Sequence, residues 1–312
     1  MTRIRVGETA RDYKALAAVT VTMVLWSSAF VAIRYAGAYF HPGALALGRL
    51  LVGACALALL LRSRGQMATP RAAWPGIVGV GVFWFGLYTV ALNWGEKYTD
   101  AGTAAMVAGL GPILAALLGA WWLKEGFSLR LVAALGIAFA GSALVGIASS
   151  GGGGRSAIGV ALCVLAAAGY AIGVVGQKRA LSAASALQIT CFGCAVGAAV
   201  CLPFAGQLVG DLAHAPAGAI LAMIYLALLP TTVGFWTWAY ALSHSTVGVL
   251  SATTYLVPVL AVFFSWALLG QVPAPLAYLG GALCLAGIVV SRRRPRPADP
   301  AHVHDEPEPT TR

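Results

Sequence analysis

Several aromatic and hydroxyl side chains lie near the middle of long apolar segments of this chain. Such side chains can bind a small molecule through ring contacts and hydrogen bonds without placing a permanent charge in an apolar interior. We therefore expect them to line a solute-binding cavity at mid-depth, although ordinary ring packing is the alternative for each aromatic. The candidates are Trp26, Ser27, Tyr88, Tyr170, Trp236 and Thr254.

One cation lies inside an apolar segment. Arg49 stands between Gly48 and Leu50, and an arginine at that depth must bind carbonyl groups, extend to water or face an aqueous cavity. It can therefore anchor a substrate carboxylate, and the alternative is a residue that joins two parts of the protein.

Two carboxylates, Glu96 and Asp100, flank Lys97 between two apolar segments. A carboxylate in a partly dehydrated vestibule can carry a coupling proton. Surface pairing with Lys97 or Arg34 is the simpler alternative for both acids. Asn93, slightly deeper, is a candidate polar contact on the same route.

Signatures of other chemistries are missing from the sequence. It contains no phosphate-binding loop, HExxH motif or nucleophile elbow, so it predicts neither ATP-driven pumping nor hydrolysis. Cys191 and Cys194 have the spacing of a metal or redox pair, but no second pair or histidine cluster accompanies them. The sequence therefore predicts no enzyme, no cofactor and no metal site.

The elements that carry these candidates are predicted to be transmembrane helices. Of the 312 residues, 60% are hydrophobic and 10% are charged, and the mean hydropathy is +0.84. That leaves too little polar surface to cover a soluble protein of this size. The charge-free segments have the length needed to cross a bilayer. Ten helices are predicted, at 15–35, 42–61, 74–95, 101–123, 129–149, 157–177, 186–204, 217–241, 247–269 and 275–291.

The second half of the chain repeats the first. Leu110-Gly-Pro-Ile-Leu-Ala115 recurs as Leu256-Val-Pro-Val-Leu-Ala261, 146 positions later. Each copy holds five predicted helices, and an odd number makes the second copy cross the membrane in the opposite direction. The fold prediction is an all-α integral membrane protein of two inverted five-helix repeats. Its parts are an amino-terminal tail (1–14), a first repeat (15–149), a Gly-rich linker (150–155), a second repeat (156–291) and a disordered tail (292–312).

A proline lies near the middle of one predicted helix in each repeat. Pro112 and Pro258 remove the hydrogen bond to the carbonyl four residues earlier, at Ala108 and Thr254. The two prolines are therefore candidate hinges that expose a polar acceptor at mid-depth. A simple kink repaired by a neighbouring helix or water is the alternative.

Lysine and arginine are concentrated on one side of the predicted membrane. With the amino terminus inside, the segments that hold Arg62, Lys124, Lys178 and Arg292 are all inside, and few basic residues remain outside. The sequence therefore predicts that both termini are cytoplasmic. The net charge of +10 is a topology signal that predicts contact with lipid headgroups and no nucleic-acid partner.

These residues resemble a known family. The two repeats, Trp26-Ser-Ser-Ala-Phe30, Gly48-Arg49-Leu50 and a segment running from Asp100 through Pro112 to Lys124-Glu125 resemble the EamA-type members of the drug/metabolite transporter superfamily. The resemblance implies a ten-helix carrier of the bacterial inner membrane that moves small metabolites such as amino acids by alternating access. Gln271 stands where the family usually has Glu, so Glu125 is interpreted as a helix-end residue.

The predicted function is therefore secondary transport of a small solute, such as an amino acid or a drug-like compound, with export favoured over import and a proton as the candidate coupling ion. The alternative is a channel or scramblase without ion coupling. That alternative requires a continuous polar stripe or ring along the pore, which the sequence does not show.

Overall fold

The computed structural model describes residues 4–98, 107–126, 128–149, 157–269 and 275–292, and within these ranges every regular element is helical. Asp100, the predicted linker 150–155, Gln271 and the tail from residue 293 lie outside the described residues. The all-α prediction is confirmed.

The helices are numbered in chain order. Three of them, α3, α9 and α10, consist of consecutive pieces. The helices are α1 (Ile4–Ala36), α2 (Pro42–Ser63), α3 (Trp74–Gly79, Val80–Tyr88 and Thr89–Tyr98), α4 (Leu110–Trp122), α5 (Leu129–Ser149), α6 (Ala157–Ala180), α7 (Ala186–Val200), α8 (Ala205–His214), α9 (Ala217–Leu226, Ala227–Val233 and Gly234–Ser243), α10 (Val247–Thr253 and Leu256–Leu269) and α11 (Pro275–Arg292).

Five of the described helical segments are long and apolar enough to cross a membrane, namely Tyr13–Ile33, Pro42–Ser63, Arg71–Gly95, Ala157–Ala180 and Ala217–Ser243. The bent pair Ala186–Val200 and Leu202–His214 makes a sixth if it counts as one span. Four shorter apolar helices of 10–17 residues lie within the other predicted spans: Leu110–Trp122, Leu129–Leu144, Val247–Leu260 and Tyr278–Ser291.

Two boundaries differ from the sequence-based expectation. α1 begins at Ile4, so most of the predicted tail is helical, because no proline interrupts the chain before Lys14. A separate helix, α8, follows α7 at an angle of 55°. Its apolar Leu208 is buried while Val209 is 69% exposed, so α8 packs by one side only. Residues 205–214 lie between the predicted spans 186–204 and 217–241, because ten residues are too short to cross a bilayer.

α3 and α9 contain π-helical turns at equivalent positions. The turns are Val80–Tyr88 in α3 and Ala227–Val233 in α9, and the repeat offset of 146 places the first on the second. π-helical turns are rare and occur mostly at functional sites, since they shift the carbonyl groups out of the regular ladder. No proline occurs within the π-helical turn of α3, so the sequence does not predict this turn.

The helices that carry the paired prolines are interrupted just before them. α4 is preceded by a turn at Gly109, and α10 is broken between Thr253 and Leu256. The Thr254 carbonyl, expected to be free, accepts a hydrogen bond from Val257 N at 2.9 Å. The kink at Pro258 is thus repaired by a tighter local turn.

Contacts between the repeats follow a twofold pattern. A Cβ built at Gly141 of α5 would lie 2.5 Å from the carbonyl oxygen of Gly280 in α11, and one at Gly287 would lie 2.6 Å from that of Ala134. Adding 146 to Ala134 and Gly141 gives Gly280 and Gly287, so the two contacts are equivalent. The Cys284 thiol likewise contacts the carbonyl of its own counterpart, Ala138, at 3.5 Å. Helices α5 and α11 therefore pack about the pseudo-twofold axis.

Candidate functional site

A group of aromatic rings lies where α1, α3, α6 and α9 meet. Trp84 is central to it. Its ring centroid lies 5.9 Å from those of Trp26 and Trp238, 5.2 Å from Tyr170 and 4.9 Å from Phe235. The aromatic cluster comprises Trp26, Trp84, Phe85, Tyr88, Tyr170, Phe235 and Trp238.

The π-helical turns position this cluster. Trp84, Phe85 and Tyr88 belong to the turn in α3. The turn in α9 presents the Pro230 carbonyl to Trp26, whose indole Nε1 donates a hydrogen bond to it at 3.2 Å. Both irregular segments therefore face the same aromatic cluster, one from each repeat.

The structure brings Trp26, Tyr88 and Tyr170 into this cluster, as the sequence predicts, but it places Trp236 elsewhere. The Arg64 guanidinium carbon lies 5.3 Å from the centre of the Trp236 ring, at the end of α2. Trp238 takes its place, with its ring 5.0 Å from that of Trp26. Two residues along a helix correspond to a rotation of about 200°, so the two indoles of α9 point to opposite sides.

Polar groups adjoin the cluster at the break in α10. The Tyr170 hydroxyl lies beside the side chains of Ser251 and Thr254, but its buried oxygen and that of Ser251 form no hydrogen bond that satisfies the usual geometry. Thr254 uses its own hydroxyl to bond the Ser251 carbonyl at 2.6 Å. Two buried hydroxyl groups therefore remain available to a ligand.

Ser27 has a different environment from the other candidates. It is fully buried, and its hydroxyl lies 2.6 Å from the Met23 carbonyl and 3.2 Å from the Val257 carbonyl. A serine has one hydroxyl hydrogen to share between these acceptors. Ser27 therefore fastens α1 to α10, and little of its hydrogen-bonding capacity remains.

Arg49 belongs to α2, and its side chain extends to the π-helical turn of α9. Its Nε and Nη2 donate to the Thr231 hydroxyl at 3.0 and 2.9 Å, and it is within electrostatic range of Tyr88 and Cys194. No carboxylate among the described residues lies within 4.0 Å of its guanidinium. Both interpretations of Arg49 are thus compatible with its position, because it joins the repeats and retains free N–H donors.

The other polar candidates lie near the end of the molecule that holds the amino terminus of α2. Asn93 Nδ2 donates to the Pro42 carbonyl at 3.2 Å. Glu96 belongs to the last piece of α3, but its side chain is not described. Nearby, the His41 ring Nδ1 and backbone N contact the Asp211 carboxylate at 2.8 and 2.7 Å, which joins α2 to α8.

The opposite end, called the basic end, is the one that carries Arg62, Arg64, Lys124 and Lys178. Here Lys178 Nζ donates to the carbonyls of Leu242 and Ser245 at 2.7 and 2.6 Å. Glu125 Oε2 accepts from Val247 N, at the start of α10, at 2.7 Å. The Lys178 contacts join α6 to α9 within the second repeat, and the Glu125 contact joins the two repeats at the basic end.

Three buried residues that can contact or bond a solute, Trp84, Trp238 and Gln177, are not among the candidates that the sequence indicates. Trp84 and Trp238 are 2% and 0% exposed, and no described residue bonds Trp238 Nε1. Gln177 is also 0% exposed, and neither of its amide atoms has a described partner.

Comparison with known proteins agrees with this architecture. The model of the EamA-like transporter family matches residues 13–147 and 157–293. A probable terminal-alkyne amino-acid exporter of Streptantibioticus cattleyicolor is 35% identical over 284 residues, covering 90% of this chain and 94% of the relative. An uncharacterised transporter of Bacillus subtilis strain 168 is 32% identical, covering 85% and 86%. A crystal structure with 22% identity superposes with a TM-score of 0.74 over 89% of this chain and 96% of the other.

Proposed function

Because the chain belongs to the EamA-like transporter family and is therefore a multi-pass membrane transporter, we propose that it exports a small zwitterionic amino acid by alternating access. The basic end faces the cytoplasm in this proposal, in accordance with the distribution of Lys and Arg. The relative from Streptantibioticus cattleyicolor, a probable amino-acid exporter, supports the choice of substrate class.

Arg49 is the observation that carries this proposal. A guanidinium within a membrane helix is costly unless it has a function or a partner, and the described protein supplies a neutral hydroxyl but no carboxylate. A substrate carboxylate would complete the missing ion pair with two parallel hydrogen bonds. Export of a carboxylate-containing solute therefore explains why the charge is retained.

The aromatic cluster supports a small apolar side chain on the same substrate. Trp26 and the Tyr88–Tyr170 pair offer flat apolar area, while the hydroxyls of Tyr170 and Ser251 offer acceptors for an ammonium group. Inverted repeats place their shared binding site near the pseudo-twofold axis. We propose that the substrate binds between Arg49 and this cluster, and that the interruptions before Pro112 and Pro258 allow the repeats to move around it.

Counterflow in proteoliposomes tests the proposal. We expect labelled neutral amino acids with small side chains, including one with a terminal alkyne, to exchange, whereas the corresponding amines without a carboxylate should not. Arg49→Met should reduce amino-acid exchange by about 100-fold, since truncating one partner of a buried charge pair costs 2 to 5 kcal/mol. The exposed Arg64 provides the matched control, Arg64→Met.

Two results would overturn this assignment. Exchange of the amines at the same rate as the amino acids would show that no carboxylate is recognised. Flux that does not saturate with substrate concentration would instead favour the channel or scramblase, because a carrier must bind its substrate in each cycle.

A further inference from the structure

Gln177 presents an unsatisfied amide inside the protein. Its side chain is 0% exposed, and neither Oε1 nor Nε2 has a hydrogen-bond partner among the described residues. A buried amide without partners is destabilising, because it leaves its hydrogen bonds to water without replacement. Such a group is retained where a ligand or a changed conformation supplies the partners.

The fold itself does not require glutamine at this position. Helices α1 and α6 end at Ala36 and Ala180, an offset of 144 that places Gln177 on Ile33 of α1, and the preceding turn of α6 carries Val174 and Val175, both buried. An apolar side chain therefore occupies the equivalent position on the matching helix of the first repeat. The amide is specific to the second repeat.

Gln177 lies on the substrate side of α6. It follows Tyr170 by seven residues, which is about two helical turns, so the two side chains share one face and lie about 10 Å apart along the axis. The next residue, Lys178, bonds the carbonyls of Leu242 and Ser245. The amide therefore lies between the aromatic cluster and the Lys178 contacts at the basic end.

A second unpartnered donor occurs on the neighbouring helix. Trp238 Nε1 is buried without a partner, and Trp238 precedes Leu242 by one turn of α9. Because Lys178 connects Leu242 to α6, the indole and the amide lie on adjoining helices just inside the basic end. The ring of Trp238 also contacts that of Trp26, so this region is continuous with the cluster.

We propose that Gln177 and Trp238 form a second substrate subsite, the loading subsite, which binds the zwitterionic head group of the amino acid on its way from the basic end to Arg49. Gln177 Nε2 and Trp238 Nε1 donate hydrogen bonds to the carboxylate, and Gln177 Oε1 accepts one from the ammonium group. The proposal rests on the proposed function.

Initial rates of uptake into proteoliposomes, with substrate supplied to the basic end, test the loading subsite. The probe is the labelled amino acid that exchanges best in the wild-type protein. Gln177→Leu should raise the half-saturation concentration by about tenfold, with little change in maximal rate. The loss of one hydrogen bond to a charged group weakens binding by about that factor. Trp238→Phe keeps most of the ring but loses the N–H, and it should act in the same direction.

Stability separates this role from a structural one. We expect Gln177→Leu to melt at the same temperature as wild type or higher without ligand, because it removes an unsatisfied group, and to gain less stability from added amino acid. Gln207, exposed on α8, gives the matched control Gln207→Leu, which should change neither quantity. If Gln177→Leu does not fold, Gln177→Met is measured in its place.

An unchanged half-saturation concentration together with a lower melting temperature would overturn the loading subsite and assign Gln177 a structural role. That result is distinguishable from failure of the proposed function, in which the wild-type protein itself shows no saturable amino-acid transport.

Discussion

The two repeats agree in the residues that pack helices and differ in the residues that can bind a solute. Gly141 and Gly287 make equivalent contacts, the two π-helical turns coincide under the offset, and both prolines are kept. By contrast, α1 and α6 end at Ala36 and Ala180, and α2 and α7 begin at Pro42 and Ala186, an offset of 144 that places Arg49 on Gly193 and Gln177 on Ile33.

Under the proposed function, this difference assigns the scaffold to the symmetric residues and the substrate contacts of Arg49 and Gln177 to asymmetric ones. Close packing in lipid depends on small side chains, since apolar surface gives no driving force between helices there, and that need is equal in both repeats. A single substrate near the axis has no such symmetry, because its carboxylate, ammonium group and side chain each need a different partner. Substitutions in the two classes should therefore have different effects.

The largest effect is expected at a symmetric packing position. Gly141→Val should destabilise the protein by about 3 kcal/mol, because the new side chain meets backbone atoms of Gly280 and Cys284 that cannot move aside. The measurement is the melting temperature in detergent, together with the yield of monodisperse protein. Gly136, on the same helix with no atom near its Cβ position, provides the control Gly136→Val. Similar melting temperatures for the two variants would contradict the tight contact at the axis.

The next largest effect is expected at the two candidate coupling acids, Glu96 and Asp100, which lie in the first repeat. If a proton is coupled through them, the double variant Glu96→Gln and Asp100→Asn should lose accumulation driven by a pH gradient while keeping exchange at equilibrium. The amides keep the shape of the side chains and remove their titration. Flux in proteoliposomes with and without an imposed gradient measures both activities. Full gradient-driven flux in the variant would make the acids structural.

A smaller effect is expected from the unpartnered hydroxyl of Tyr170. Tyr170→Phe keeps the ring contact with Trp84 but removes the hydroxyl. We expect the affinity for the amino acid to fall by about tenfold, the ratio for one lost hydrogen bond to a charged group, with little change in the melting temperature of the free protein. Ligand-dependent thermal shifts measure both values. A loss of stability without a loss of affinity would place this hydroxyl in the scaffold.

The smallest effect is expected at the basic end, where the repeats differ by Glu125 against Gln271. Glu125→Gln makes them alike and keeps an oxygen that can accept from Val247 N, but it removes the negative charge near a helix amino terminus. We expect a loss of about 1 kcal/mol in the free energy of unfolding, measured by denaturant titration. The neighbouring exposed residue supplies the control Lys124→Gln. A stability equal to wild type would show that the charge of Glu125 has no structural role.

The sequence by itself determined the helices, their depth and their duplication. The length of the charge-free segments predicts the membrane spans, and the position of a residue along its helix predicts its depth. The recurrence of one motif after 146 residues predicts the repeat. These inferences need no knowledge of which helix lies beside which. The structure brings three of the candidates chosen in this way, Trp26, Tyr88 and Tyr170, into one aromatic cluster.

Only the tertiary structure decided which side of each helix faces the interior. In lipid both the outer surface and the core are apolar, so the helical periodicity that marks a buried face in a soluble protein is weak here. The sequence therefore indicates Trp236 where Trp238 faces the cluster, and it does not single out Gln177. The π-helical turns also depend on neighbouring helices, since the turn in α3 contains no proline and its rings pack against α6 and α9.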